Sequence, residues 1–498
     1  ATVLDIPEES VLRAYVQACD PSFSYRLRNT ISSPSRGFTS YLLEMTSGVW
    51  RGAQEVYEPE WRHYVTVVEP TNISARTAML VISGGSTGSL PSESLGAVLL
   101  PFARSTGSAV ALLQAVPNQP LNFTDQTRSR SEDAIIAYSY DKYLDSFMAG
   151  EPDMAWPALL PMTRAAVRAM DAVQGFMATK STGAVMLDKF VVTGASKRGW
   201  TTWLTAAADN RVSAAVPIVI DVLNMERQME HHRRAYSGYE TEDASNFIHG
   251  GYSTAIKDYV DMEVFDRFGT EQSASLLKIV DPLTYRNLLT MPKLIANSTG
   301  DQFFLPDSSQ FYLDQMPGSN YLYYAPNTDH GLSNSGVDLD EGTLASILAF
   351  YIAHIRNTNA SAGDNVTVPQ FTWRFETDEA NGKARIIVTS REQAALVRLW
   401  QATNPDQRDF RLQTLGAQWS ATVLKSNCML ACEESLGDCP CDPFAANQVY
   451  TAEVDIPQTG WTGFFVQVVY PGPDPAQPTV PFAFSTPVRV VPDTYPDE

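Results

Sequence analysis

A serine, an aspartate and a histidine, each on a turn after an apolar stretch and in that chain order, form the set used for nucleophilic acyl transfer. Phe190-Val191-Val192-Thr193 runs into Gly194-Ala195-Ser196-Lys197-Arg198-Gly199, and a helix-compatible segment, 200–208, follows. Strand, tight turn and helix in that order make a nucleophile elbow, which strains the serine backbone and lifts its hydroxyl above the sheet. Arg198 holds the place of the second glycine of Gly-x-Ser-x-Gly, and Gly199 comes one later. Ser196 is therefore read as the nucleophile, against the alternative of a structural turn rich in Gly and Ser. Of the six histidines, His330 alone follows a suitable strand, 320–324. His63 lies in an early strand, His231, His232 and His249 in an insert, and His354 on a late helix. The acid is expected at Asp301, on the turn after strand 293–297. Asp221, at the end of the strand after the elbow, is the alternative position. The oxyanion would be met by the backbone N–H of Lys197 and by one from the glycine-rich loop, at Gly85 or Ser86. Lys197 and Arg198 themselves either meet an acidic substrate group or stabilise the oxyanion, or, as such charges more often do, point to solvent or pair with a nearby carboxylate.

These turns need a scaffold. Segments 78–83, 108–116, 189–193, 214–221 and 293–297 are short and apolar, and helical periodicity recurs at 134–144, 162–177 and 200–208. That alternation predicts a mostly parallel sheet buried on both faces, an α/β fold of the α/β-hydrolase type. A helix at 8–18, a loop, and adjacent strands at 38–50 and 63–68 suggest an antiparallel edge. The polar, aromatic stretch 224–289, with a helix expected at 252–268, reads as a cap insertion over the site. A linker is expected at 357–363. After it, seven short alternating segments predict a β-sandwich of immunoglobulin or fibronectin type. The domains are therefore placed at 1–360 and 366–498, the second offering a surface for a protein or glycan partner.

The chain has 498 residues, of which 44% are hydrophobic and 18% charged, so it is globular with a large core. A formal net charge of −20 opposes binding to nucleic acid. The apolar run 344–355 falls short of the roughly 20 residues of a membrane span and reads as a packed helix. The first residues lack a signal-peptide pattern, and a start without Met suits a processed secreted chain. Sequons at Asn72, Asn122, Asn297, Asn359 and Asn365 point to the secretory route. So do Cys428, Cys432, Cys439 and Cys441, read as two local disulfides. Cys439 and Cys441 are too close to pair, so each is expected to join Cys428 or Cys432. A zinc site is the lesser reading of the four, since their spacing lacks paired Cys-x2-Cys. Cys19 is left over and expected to be buried. His231-His232 has no third ligand at helical spacing, and Gly84-Gly85 lacks the Gly-Lys-Ser/Thr of a phosphate loop. No metal or cofactor is implied.

Three stretches carry a resemblance: Arg128-Ser129-Arg130-Ser131-Glu132-Asp133-Ala134-Ile135-Ile136-Ala137, the elbow through Trp200, and Pro117-Asn118-Gln119-Pro120. Together they resemble the PhoPQ-activated pathogenicity-related protein family of bacteria and some amoebae. The resemblance implies an α/β-hydrolase with Ser196, Asp301 and His330 at the triad positions, and it implies no substrate. A secreted amoebal member represses proliferation. Two readings follow: a secreted serine esterase or peptidase, and a non-enzymatic signalling or binding protein on the same scaffold.

Overall fold

The computed structural model describes residues 11–90, 93–180, 183–239, 248–334, 339–359, 365–434, 439, 441–442, 444–445, 447–475, 477 and 479–496. After α1 (Val11–Gln17), β1 (Ser24–Ser33), β2 (Phe38–Val49) and β3 (Glu60–Pro70) form an antiparallel edge. β1 falls where a loop was expected. All but the last of its residues are exposed, so it shows no apolar alternation to read.

The parallel part follows: β4 (Thr77–Ile82), α2 (Glu93–Thr106), β5 (Val110–Leu113), α3 (Asp133–Met148), α4 (Leu159–Thr179), β6 (Lys189–Ala195), α5 (Lys197–Ala208) and β7 (Val212–Ile218). The insert holds α6 (Met225–Ala235), β8 (Ile248–His249), β9 (Tyr252–Ser253), α7 (Lys257–Asp261) and α8 (Glu271–Val280). The helix expected at 252–268 is broken into a strand end, a five-residue helix and short 3-10 turns. Glu263 takes a left-handed φ of 51°, which a right-handed helix cannot pass through. β10 (Lys293–Ser298), β11 (Asn320–Ala325) and α9 (Glu341–Asn359) complete this part, whose strands run β1-β2-β3-β5-β4-β6-β7-β10-β11. β4, β5, β10 and β11 are almost wholly buried, as a sheet covered on both faces requires. One core lies on the side of α3, α4 and α5, the other on the side of α2 and α9. No helix among the described residues is long and apolar enough to cross a membrane.

The remaining elements are β12 (Phe371–Asp378), β13 (Lys383–Ser390), β14 (Leu396–Asn404), α10 (Leu412–Leu415), β15 (Ser420–Val423), α11 (Asn427–Glu434), β16 (Gln448–Asp455), β17 (Trp461–Tyr470), β18 (Phe482–Ser485) and β19 (Arg489–Val491). β12-β13-β16 is a separate sheet. The other strands do not stand apart. β18 pairs with β11 at Leu322↔Ser485, so the central sheet continues through β18-β17-β14-β15. Tyr324 N–H donates to Ser485 Oγ at 3.2 Å, and the rings of Tyr321 and Phe484 lie 4.7 Å apart. Residues after 366 thus extend the central sheet and contribute to both cores alongside the part expected at 1–360, rather than forming a unit confined to 366–498. The expected linker is partly helix, since α9 reaches Asn359; residues 360–364 lie outside the described ones.

Cys428 pairs with Cys441, and Cys432 with Cys439. Cys19 is exposed rather than buried, because it lies just past the end of α1. Asn72, Asn122 and Asn365 are exposed. The side chain of Asn359 lies outside the described residues. Asn297 is corrected below.

Candidate active site

Ser196 sits between β6 and α5 with φ 58° and ψ −131°, the strained conformation of an elbow. Its N–H donates to Ile218 O at 2.8 Å, tying the turn to β7. A Cβ on Gly199 would lie 2.6 Å from Ile220 Cγ2 and 2.9 Å from Gly194 O. The close approach of helix and strand therefore falls at 199, and residue 198 can carry a long side chain. That side chain lies over the glycine loop: a Cβ on Gly84 would be 2.5 Å from the Arg198 guanidinium.

The expected acid and base, Asp301 and His330, follow the ends of β10 and β11. Asp301 is 4% exposed, and its Oδ1 accepts the Phe303 N–H at 2.7 Å. His330 Nδ1 lies 2.8 and 2.9 Å from the two Asp301 oxygens, and its Nε2 lies 2.8 Å from Ser196 Oγ. A carboxylate only accepts, so Nδ1 carries the proton and Nε2 is left to receive one from Ser196. The Phe303 ring lies 4.2 Å from the imidazole, centroid to centroid, and the His330 N–H donates to Gln302 Oε1 at 2.9 Å.

Asp221 is turned elsewhere. It accepts Tyr312 O–H at 2.5 Å and Asn297 Nδ2–H at 2.9 Å. Burial pushes its carboxyl up to about 7, against the lowering effect of those hydrogen bonds. The sequon at Asn297 is corrected by the same contact: its amide is buried in β10 and engaged by Asp221, so a glycan there would have no exit.

Lys197 and Arg198 meet carboxylates of the chain itself. Lys197 Nζ lies 2.9 Å from both Glu132 Oε2 and Asp133 Oδ2, and Arg198 donates to Glu132 Oε1 at 2.6 Å. Tyr259 O–H donates to Asp133 Oδ1 at 3.0 Å. Burial alone would raise Glu132, but the Arg198 hydrogen bond and the two cationic charges outweigh it and hold the carboxyl at about 2. Glu132 precedes α3 with φ 55° and ψ −131°, nearly the backbone of Ser196. Lys197 opens α5, so its N–H points out of the positive end of a helix beside the nucleophile. Gly85, with φ 107°, and Ser86 follow β4, whose Ile82 is in register with Gly194 of β6. The glycine loop thus leaves β4 next to the strand that carries the elbow.

The other histidines are brought elsewhere. His63 contacts Ser47 and Gln114 O, and His354 contacts Ser213. His231 lies between Asp307 and Tyr495, and His232 accepts the Ser253 N–H. The side chain of His249 lies outside the described residues.

The insert walls the site. Trp200 of α5 donates to Val280 O of α8 at 2.7 Å, tying the insert to α5, and Asp281 accepts the Met225 N–H at 2.9 Å, joining the two ends of the insert to each other. Beside Ser196 a cavity of about 40 Å³ is lined by Trp200 and Ile220 and by Met225, Met229, Tyr259 and Phe265 of the insert. Sequence reasoning passed over Glu132, Asp133 and these wall residues. Two adjacent carboxylates opposite two adjacent cations were the available signal for the first pair.

A family model described as PhoPQ-activated pathogenicity-related protein matches residues 12–411. The chain belongs to that family. The PhoPQ-related match spans the whole central sheet up to β11 and reaches past β14. Autocrine proliferation repressor protein A of Dictyostelium discoideum is 32% identical over 495 residues, covering 97% of this chain and 90% of the relative. Acetyl xylan esterase 1 from Thermoanaerobacterium sp. JW/SL YS485 matches 70% of this chain and 93% of its own, at 15% identity and a TM-score of 0.46. A glucuronoyl esterase from Solibacter usitatus matches 70% and 91%, at 11% identity and a TM-score of 0.39. For this PhoPQ-related chain the α/β-hydrolase arrangement rests on its own strand order and elbow rather than on these two likenesses.

Proposed function

We propose that the protein is a secreted serine hydrolase acting on an ester or amide. Ser196 is the nucleophile, His330 the general base and Asp301 the group that orients the imidazole. The observation that carries this reading is the continuous contact from Ser196 Oγ through His330 to Asp301, with each step at 2.8 to 2.9 Å. Ser196 Oγ attacks the carbonyl carbon while His330 Nε2 takes its proton, and Asp301 stabilises the imidazolium. The oxyanion is met by the N–H of Lys197 and by one from Gly85 or Ser86. His330 then gives its proton to the leaving group, and an acyl-Ser196 ester remains. Water, deprotonated by the same imidazole, cleaves that ester and returns Ser196 to its hydroxyl form. This route calls for no metal or cofactor. Residues 1–360 carry the chemistry with 224–289 as the cap, and 366–498 support them.

Secretion is supported by the two disulfides and by the exposed sequons at Asn72, Asn122 and Asn365. The name of the 32% identical relative favours a second reading, a secreted signal carried on this scaffold. Labelling with a fluorophosphonate probe separates the two. The wild-type protein is expected to label and Ser196→Ala to remain unlabelled. Labelling that survives the substitution, or never occurs, removes the hydrolase reading.

A further inference from the structure

The cavity beside Ser196 has a size and a chemistry of its own. We infer that it is the acyl pocket of the proposed hydrolase, and that it takes short, uncharged acyl groups. The inference rests on the hydrolase reading above and adds the substrate class.

Size comes first. The cavity is narrow, about 40 Å³, and open on one side. A water's share of liquid volume is about 30 Å³, so a space of this order suits a small group of few heavy atoms. An acetyl group is such a group. Met225 and Met229 line one wall and can yield slightly, since thioethers are flexible. The Trp200 indole cannot, because its N–H is fixed on Val280 O at 2.7 Å.

Charge comes second. Asp133 and Lys197 are the ionisable groups that reach the cavity, and they face each other at 2.9 Å, with Tyr259 O–H on Asp133. A charged acyl group would lose its water and find these groups already engaged. The remaining walls are Trp, Ile, Val, Met, Tyr and Phe side chains. An apolar acyl chain is the ligand that loses nothing on entry.

The test compares p-nitrophenyl acetate and octanoate on the full chain, alongside labelling of Ser196 by a short-alkyl fluorophosphonate. Acetate is expected to exceed octanoate in kcat/KM by at least about 100-fold, given that one misfitting methylene already discriminates by about 10–200-fold. Met229→Ala and Phe265→Ala open two different walls, and each is expected to shrink that ratio about tenfold or more. Phe265 is only partly buried, so its variant remains informative if Met229→Ala fails to fold. Octanoate turned over as well as acetate, with Ser196 labelled, would overturn the pocket inference and leave the hydrolase reading intact. A ratio unmoved in both folded variants would overturn it too. Absence of both labelling and turnover would remove the hydrolase reading, and this inference with it.

Discussion

The two sides of the site are held by different parts of the chain and by different forces. On the nucleophile side, Glu132 and Asp133 at the start of α3 grip Lys197 and Arg198 at the start of α5. That grip is ionic and lies within the hydrolase part. On the acid and base side, support comes from the C-terminal part through neutral hydrogen bonds. Leu412 N–H donates to Gly300 O at 3.0 Å, next to Asp301. Asn327 and Trp419 exchange two hydrogen bonds at 2.8 Å, three residues before His330. Asn327 and Leu332, on either side of His330, both take left-handed φ values of 58° and 55°. Such a loop keeps its shape only when its surroundings over-determine it. The elbow is thus a self-contained device, while the base is presented by a loop that borrows its rigidity.

The most severe way to break this comparison is to remove residues 366–498. The exposed edge of β11 and the loss of the Leu412 and Trp419 contacts are expected to abolish both cooperative melting and Ser196 labelling. A fragment 1–365 that melts cooperatively and labels normally would show that the base side needs no outside support. Next in size, Asn327→Ala is expected to lower kcat about 100-fold with KM little changed, because a small displacement of a catalytic group costs that much. Glu132→Gln should lower kcat about tenfold while costing on the order of 1 kcal/mol in stability, since its side chain is 41% exposed and the ion pairs are partly screened. If the two substitutions ranked in the reverse order in steady-state kinetics, the ionic grip would be the more critical support.

A subtler effect concerns Asp221. Burial keeps its folded-state carboxyl protonated up to about 7, whereas the unfolded chain releases that proton near the usual value of about 4. Its contribution is fully present below that lower value and declines as the pH climbs through about 7. The stability of the wild type relative to Asp221→Asn should fall by about 1–3 kcal/mol from about pH 5 to about pH 8 in denaturant titrations. A flat difference would show that Asp221 is charged in the folded protein. The smallest effect is expected from reducing Cys428–Cys441 and Cys432–Cys439. They close spans of 13 and 7 residues away from the site, so melting should reveal a loss of about 2 kcal/mol or less with labelling unchanged.

The candidate site was legible as a pattern because its signals are local. The turn at Ser196, the Gly-Asp turn after β10 and the His-Gly turn after β11 each follow a short apolar run, and chain order supplied their roles. Asp221 stayed open as an alternative to Asp301 because both follow a strand near the elbow, and only the direction of His330 Nδ1 separates them. The grip of Glu132 on Arg198 spans 66 residues, beyond the reach of any periodic pattern. β18 was missed for a related reason. Phe-Ala-Phe-Ser is four residues long and buried throughout, too short to alternate, yet it joins the two parts of the sheet. The insert was legible as a wall but not as a shape, because its left-handed residue at Glu263 leaves no mark in hydrophobic spacing.

The pairing of β11 with β18 also sets an order of events at the ribosome. The partner of Leu322 lies 163 residues further along the chain, at Ser485. Until that strand emerges, the edge of β11 has no partner within its own chain and can serve as a template for pairing between neighbours on the same message. The late strand acts as a closing stitch, and the chain is at its most vulnerable to misassembly just before it arrives.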